Sequence, residues 1–558
     1  MLDLFATDWR SVWLGATSEP VGAIFTKPEI VELILDLAGY RTGGDRLATH
    51  PLLEPSCGDG AFLTTVVNRL VLSESEQNDS IDWTDAALDL AIRAADINMP
   101  SVLAARALVR NILMSAGASA SRADRLAETW IVQTDFLLAD WPTRFDFVIG
   151  NPPYVRIEDV PKRVLARYRE LFHTTSDRAD LYVAFFERGL DLLSAEGTLA
   201  FICANRFTKN KYGHALRRLI AQQYRVRSYV NLEHTQPFES DVSAYPAIIV
   251  VDRQRGEPTR AATLSDIEPG TVDAVRTETL ADRRPRSPVA QFASWYTNGG
   301  PWLTTSHVER DALDKLDRSL PTLEQSAPAT RVGIGVATGA DAVFVLDHKH
   351  PDIEESRQIP LLLSADVHNE AVHWSGRYIL NPFADADDGS LVDLSAYPGF
   401  ADYVASRATV LKRRHCAKSN PNRWYRTIDR IWPRLQNRQK LVIPDIQGRS
   451  TIGFDAGECY PHHNLYWITS DTWPLLALKA LLRSTLVYQQ VRAHSVQMRG
   501  GSVRFQAQTL RKVRLPHLGD IPDTLLDQLA TVAAIQDQGA IDSAANEAFA
   551  AGIHGARK

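Results

Sequence analysis

The chain has 558 residues, too many for one hydrophobic core, so two or three domains are expected. Hydrophobic content of 45% and charged content of 23% are ordinary for a soluble globular protein, and the four scattered cysteines contain no Cys-x-x-Cys pair, which argues against a disulfide framework or structural zinc. A net charge of −6 does not by itself suggest a nucleic-acid partner.

Residues 1–20 form an acidic, broken tail unlike a signal peptide, and no apolar stretch approaches the roughly 20 residues that span a bilayer. A cytoplasmic protein with no membrane partner is expected. From 21 to 255, short apolar strands such as "PLLEPS", "AIRAADI", "WIVQTDF", "FDFVIG" and "GTLAFICA" alternate with helical patterns such as "KPEIVELILDLAG" and "DLYVAFFERGLDLLSA". That alternation predicts an α/β domain with a mostly parallel sheet covered on both faces. Its last two strands, "VRSYVNL" and "AIIVVDR", lack a long helix between them and predict a closing antiparallel hairpin. An insertion at about 99–130 reads as a helical hairpin of no evident purpose. Residues 256–300, rich in charge and proline, read as an inter-domain connection with room for a strand of its own. Residues 301–558 then form a second, α+β domain with a helical tail, in which "RVGIGVATGADAVFVLD" predicts a hairpin or bulge.

Four successive strand ends of the first domain carry unusual residues. "LLEPSCGDGAFL" places Gly58 and Gly60 in a turn between strand and helix, where the backbone can approach a ligand; a tight turn with no ligand is nearly as good a reading. Neither a dinucleotide fingerprint nor a phosphate loop is present there. Asp96 ends the second strand and can accept hydrogen bonds from ribose hydroxyls. Asp135 and Phe136 end the third, an acceptor beside an aromatic ring that suits an adenine. Each Asp taken alone reads first as a helix cap, since Asp favours caps and turns. The fourth strand runs into Asn151, Pro152, Pro153 and Tyr154: an amide, a rigid turn and an aromatic ring.

The order "IFTKPEIVELIL", "LLEPSCGDGAFL", "AADIN", "QTDFLL", "GNPPY" and "DLYVAFFERGLDLLSAEGTLAFICANRF" resembles the γ-class adenine-N6 DNA methyltransferases, more closely their TaqI-like and Eco57I-like branch. The resemblance implies a Rossmann-like S-adenosylmethionine-dependent methyltransferase sheet followed by a target-recognition domain, with double-stranded DNA as partner. It assigns Asn151 and Pro152 as acceptors for the target amine, with Pro153 holding them in place and Tyr154 stacking on a flipped base. Thr26, Glu54, Pro55, Gly58, Gly60, Asp96, Asp135 and Phe136 would hold the cofactor. A second clamp on the base falls on Tyr212, with Phe207 as the alternative. The gap of about 35 residues between Gly60 and Asp96 is longer than in a compact nucleotide-binding unit. No metal is needed by this chemistry.

The charge is uneven. Residues 401–450 hold twelve Lys or Arg against three Asp, and residues 491–514 hold six basic residues and no acidic one. "LKRRHCAKSNPNRWYRTIDR" and "QMRGGSVRFQAQTLRK" mix the residue types that contact phosphates and bases, and they nominate Lys412, Arg413, Arg414, Arg423, Trp424, Tyr425, Arg499, Arg504 and Gln506 for DNA contact. A plain solvated surface is the alternative. "PDIQGRSTIGF" begins like a nuclease site but lacks the Glu-x-Lys that would follow, so any restriction endonuclease or defence partner is expected on a separate chain, and the protein is expected to act as a monomer. The competing readings are cytosine-N4 transfer, transfer to protein glutamine or RNA guanine, and a catalytically silent DNA-binding component of a defence complex.

Overall fold

The computed structural model describes residues 24–555 except 78–79, 142, 176–178, 241–244, 294, 297–298, 303–306, 387, 448–450 and 496–501. The chain divides into two units, 1–307 and 308–558. Among the described residues no helix is long and apolar enough to cross a membrane.

The first unit is built on one nine-stranded sheet. Its strands are β1 (Leu52–Glu54), β2 (Ile92–Asp96), β3 (Ile131–Gln133), β4 (Phe145–Gly150), β5 (Leu193–Ala204), β6 (Arg225–Asn231), β7 (Pro246–Asp252), β8 (Thr259–Thr263) and β9 (Ala290–Phe292), in spatial order 3-2-1-4-5-7-6-8-9. Strands β1 to β5 pair in parallel, with Leu52 opposite Ile92 on one side and Phe147 on the other. β7 lies antiparallel between β5 and β6, as the missing crossover helix predicted. Its residues 246–252 are all buried, as a central strand covered on both faces requires. Helices α1 (Pro28–Ala38), α2 (Ala61–Gln77), α3 (Ala87–Ala91), α4 (Met99–Ser115) and α5 (Ala120–Trp130) cover one face, and α6 (Lys162–Leu171), α7 (Tyr182–Asp191) and α8 (His214–Gln223) contribute to the other core.

The stretch 256–300 is corrected from a connection to part of this sheet. β8 extends it in parallel beside β6, β9 closes it antiparallel, and the helix Pro269–Leu280 between them buries Val272 and Val275 in the first core. Its charged residues lie outward and its sparse apolar ones inward, so composition concealed the packing. The insertion at 99–130 is the crossover from β2 to β3. Asn98 and Ser119 cap its two helices, and Val102, Ala105, Val109, Leu113 and Leu126 are fully buried.

The second unit holds two four-stranded sheets. One orders Arg331–Ile334, Leu465–Thr469, Lys440–Pro444 and Gly453–Asp455, all antiparallel. The other orders Val345–Leu346, Tyr378–Leu380, Gln358–Leu362 and Tyr460–Pro461. Helices Leu475–Arg483, Thr485–His494, Asp523–Val532 and Gln538–Gly555 share a core with the first sheet. The expected hairpin over 331–347 does not form, because its two strands pair in different sheets. A Cβ on Gly333 would lie 2.1 Å from the Trp467 ring and one on Gly335 2.2 Å from the His462 carbonyl, so these glycines admit a neighbouring strand rather than a tight turn.

Truncating a buried leucine costs about 2–5 kcal/mol. Leu113→Ala should therefore shift urea unfolding of the first unit to clearly lower denaturant. An unshifted transition would show that the 99–130 helices are a loose appendage rather than part of the core.

Candidate active site

β1 and β4 end side by side. Ser56 Oγ donates to the Asn151 carbonyl at 2.9 Å, and a Cβ on Gly150 would lie 3.3 Å from Pro55 Cδ, so these two chains approach closely. Gly58 has φ +50°, and its amide donates to Asp96 Oδ2 at 2.9 Å, while Asp96 Oδ1 accepts from the Asn98 amide at 2.8 Å. The long gap before Asp96 holds α2 and α3 and leaves Asp96 beside the glycine turn. Burial raises its carboxyl pKa above the usual value. Gly60 has φ +98°, and a Cβ there would meet Leu108 Cδ2 at 3.0 Å. Glu54 is buried, and its Oε2 has no hydrogen-bond partner among the described residues. Burial first, and then the charge of Asp96, push its carboxyl well above the normal range.

Asn151 is oriented from behind. Its Nδ2 donates to the Ile24 carbonyl at 2.9 Å and to Thr26 Oγ1 at 3.3 Å. A carbonyl only accepts, so the amide nitrogen must face Ile24 and the amide oxygen must face away. That oxygen, Oδ1, is buried without a hydrogen-bond partner among the described residues. An unsatisfied buried acceptor costs about 1–3 kcal/mol, which makes this atom a site prepared for a donor. The segment 24–26 is itself held, since Lys27 donates to the Pro237 carbonyl and Glu239 to that of Phe25, each at 3.0 Å. Sequence reasoning missed this anchor. Thr26, nominated for the cofactor, has its hydroxyl on Asn151.

Pro152 is buried and Pro153 half-buried, and the chain beyond them is pinned where Leu181 donates to the Val155 carbonyl at 2.9 Å. The Tyr154 ring meets Phe238 edge-on at 5.9 Å. Its hydroxyl is buried without a hydrogen-bond partner among the described residues, and burial raises its pKa well above the ordinary value.

Asp135 is buried. It accepts from the Tyr168 hydroxyl at 2.5 Å and from the Leu137 amide at 2.8 Å, and burial outweighs both bonds to push its pKa up to about 6. Tyr168 was not foreseen; its only sequence signal is its place four residues after buried Val164 on α6. Phe136 is corrected from an open ring face to a core residue, 2% exposed, with Phe185 at 5.1 Å and Trp141 at 6.1 Å. Of the two clamp candidates, Phe207 is 0% exposed beneath Phe186 and Trp302, which leaves it no face for a base. Tyr212 is half-buried; its hydroxyl donates to Asp180 Oδ2 at 3.0 Å and lies 3.0 Å from that of Tyr182.

The nominated basic residues of the second unit fall into distinct groups. Lys412 and Arg413 are exposed, with Lys412 Nζ 5.0 Å from the centre of the half-buried Trp424 ring. Arg414 is corrected to an internal strut. It donates to the carbonyls of Leu411, Thr338, Trp424 and Arg426, a set that uses its guanidinium to close a loop. Arg423 donates to the Gly389 carbonyl, and the Tyr425 hydroxyl to that of Val392 at 2.8 Å. Arg504 pairs with Asp445, the acid of the nuclease-like "PDIQG", and Gln506 Oε1 accepts from Gln508 at 2.8 Å. Arg499 lies outside the described residues.

Residues 82–238 match the model of the Eco57I restriction-modification methylase family. The chain is 44% identical to the type II methyltransferase M.PaeR7I of Pseudomonas aeruginosa, over 94% of this chain and 91% of that one. It is 42% identical to the type II methyltransferase M.XhoI of Xanthomonas vasicola, over 95% and 97%. Its fold is also similar to that of the type IIL restriction-modification enzyme MmeI, solved in complex with DNA, with a TM-score of 0.60 at 14% identity over 95% of this chain and 71% of that one. On this α/β fold, the relatives and the family model define a methyltransferase. The chain belongs to the type II methyltransferases of restriction-modification systems.

The raised Asp135 pKa sets a sign. In the folded state Asp135 keeps its proton up to about 6, above its ordinary value of 3.8, so the native state binds more protons across that window and loses stability as pH rises through it. The full effect is on the order of 3 kcal/mol. Asp135→Asn should flatten the pH dependence of stability between about 4 and 6; a slope unchanged from the parent would show that Asp135 does not titrate in this way.

Proposed function

We propose that the protein transfers a methyl group from S-adenosylmethionine to the N6 amine of an adenine flipped out of duplex DNA, as the modification component of a restriction-modification system. The observation that carries this reading is the Oδ1 of Asn151, buried without a hydrogen-bond partner among the described residues and turned away from Ile24 by the hydrogen bond that Nδ2 donates there. The lone pair of an exocyclic amine is delocalised into the ring. Two acceptors on its hydrogens, Asn151 Oδ1 and the Pro152 carbonyl, favour a pyramidal nitrogen and free that lone pair. The prolines and the bonds behind Asn151 hold both acceptors in place, so little reorganisation is needed at the moment of transfer. The N–C bond forms as the methyl–sulfur bond breaks, and the surplus proton leaves the now acidic amine for water. Tyr154 and Tyr212 are the rings that would stack on the flipped base.

The cofactor supplies an electrophilic methyl group. The residues fit it: the Gly58 turn admits a close ligand, Asp96 can accept from ribose hydroxyls, and Glu54 Oε2, without a hydrogen-bond partner among the described residues, suits an amino group, with Pro55, Gly60 and Thr26 alongside. Asp135 would take the adenine amine of the cofactor. DNA contact falls to Lys412, Arg413 and Trp424, with Arg423 and Tyr425 shaping that surface and Arg504 and Gln506 lending support. The relatives matched over nearly their full length are methyltransferases by name, which fits a separately encoded endonuclease; the working form in this reading is a monomer.

Incubation with duplex DNA and labelled S-adenosylmethionine should place the label in N6-methyladenine; label in N4-methylcytosine, protein or RNA would refute the reading. Asn151→Ala should lower kcat by at least about 100-fold, with calorimetric affinity for the cofactor unchanged, and a matching loss of cofactor binding would mean its role is different. Lys412→Ala with Arg413→Ala should weaken DNA binding and reduce its salt slope by about 1 per lost phosphate contact. Arg414→Ala should instead lower the melting temperature of the second unit. Equal effects of all three substitutions on the salt slope would overturn this division of labour.

A further inference from the structure

Two consecutive histidines and an aspartate about 120 residues before them meet in the second unit. Asp341 opens the short helix Asp341–Phe344, and His462 and His463 lie between the strands Tyr460–Pro461 and Leu465–Thr469. His462 Nε2 is 3.3 Å from Asp341 Oδ2 and 3.2 Å from His463 Nδ1, and one ligand atom of each residue lies within 4.8 Å of the others. His462 is 4% exposed, and its Nδ1 is buried with no hydrogen-bond partner among the described residues, so the polar interactions of this ring gather at Nε2.

One proton cannot serve this arrangement. If Nε2 carries the hydrogen and donates it to Asp341, the lone pair of His463 Nδ1 gains nothing from it. If His463 Nδ1 donates to Nε2, two lone pairs, of Nε2 and Asp341 Oδ2, face each other. A cation between the three satisfies all of them at once. Bonds of about 2.0–2.1 Å at tetrahedral angles put zinc ligands about 3.3 Å apart, the spacing seen on both sides of Nε2. The backbone is set for it. His462 donates its amide to the Leu362 carbonyl at 2.9 Å, His463 donates to Val336 at 3.0 Å, and the Thr338 hydroxyl donates to Asp341 Oδ1, leaving Oδ2 toward the imidazole. Asp341 and His462 also line an open cavity of 560 Å³ with Ser364 and Asn464, which gives water access to a remaining coordination position.

We propose that Asp341, His462 and His463 form a site for one divalent transition-metal ion of the zinc class. Two imidazoles and a carboxylate are a donor set suited to such ions. The ion would tie the 462–463 turn to the loop that braces the basic segment: Thr338 accepts from Arg414 and from the Ile428 amide at 3.1 Å each, and Ala337 accepts from the Asp429 amide at 3.0 Å. Its place is structural, apart from the methyl-transfer chemistry.

The full-length protein is stripped with a chelator, dialysed and titrated with zinc, and separately with cobalt, whose visible d–d absorption reports ligand number. The expected result is one equivalent bound, retained through gel filtration, with a higher melting temperature on zinc addition. His463→Ala and Asp341→Asn, both at partly or fully exposed positions, should fold by circular dichroism and bind zinc at least about tenfold more weakly. Absence of calorimetric binding by the parent would overturn the proposal. So would binding that survives both substitutions unchanged, since the metal would then sit elsewhere.

Discussion

The hydrogen bond from Asn151 Nδ2 to the Ile24 carbonyl is the constraint on which the site depends. It is a simple piece of chemistry, a donor facing a group that can only accept. Its consequence is that the other end of the amide, a buried oxygen, points where no protein donor meets it among the described residues. A folded chain retains an unmet acceptor only at some expense to its stability, and the expense is small beside the cores on either side of the sheet. The unmet acceptor is therefore held in place by packing rather than by any unusual residue.

The sheet makes that arrangement possible. Parallel pairing of β1, β2 and β4 brings Glu54, Asp96 and Gly150 to neighbouring strand ends, the edge where open α/β sheets bind ligands. Two short links fasten the edge together, Ser56 to the Asn151 carbonyl and the Gly58 amide to Asp96. Burial leaves Glu54, Asp96 and Asp135 all with raised carboxyl pKa values, so the edge is sensitive to which charges enter it.

Much of this was legible before any coordinates. Strand and helix periodicity located β1 to β7, and the missing crossover located the antiparallel pair, because both signals are local. The tetrapeptide at 151–154 and the glycine turn were legible because their residue types are scarce in ordinary strand ends. What escaped was long-range. Asn151 and Ile24 are 127 residues apart, and no pattern along the chain pairs them. The strands in 256–300 were masked by outward-facing charge, and the split of 331–347 between two sheets depends on Trp467 and His462 crossing two glycines. Charge counting also cannot separate the exposed Lys412 and Arg413 from Arg414, whose guanidinium is consumed by four carbonyls. Phe136 failed for a similar reason: an aromatic at a strand end is as easily claimed by the core as by a ligand.

The account turns on where the target amine sits, and that can be seen directly. A crystal structure of the protein with target-containing duplex DNA and an unreactive cofactor analogue should show an extrahelical adenine. Its N6 should lie within about 2.7–3.2 Å of Asn151 Oδ1, with the amide nitrogen still on Ile24. An adenine amine placed away from Asn151, or an Asn151 turned so that its nitrogen faces the base, would contradict it.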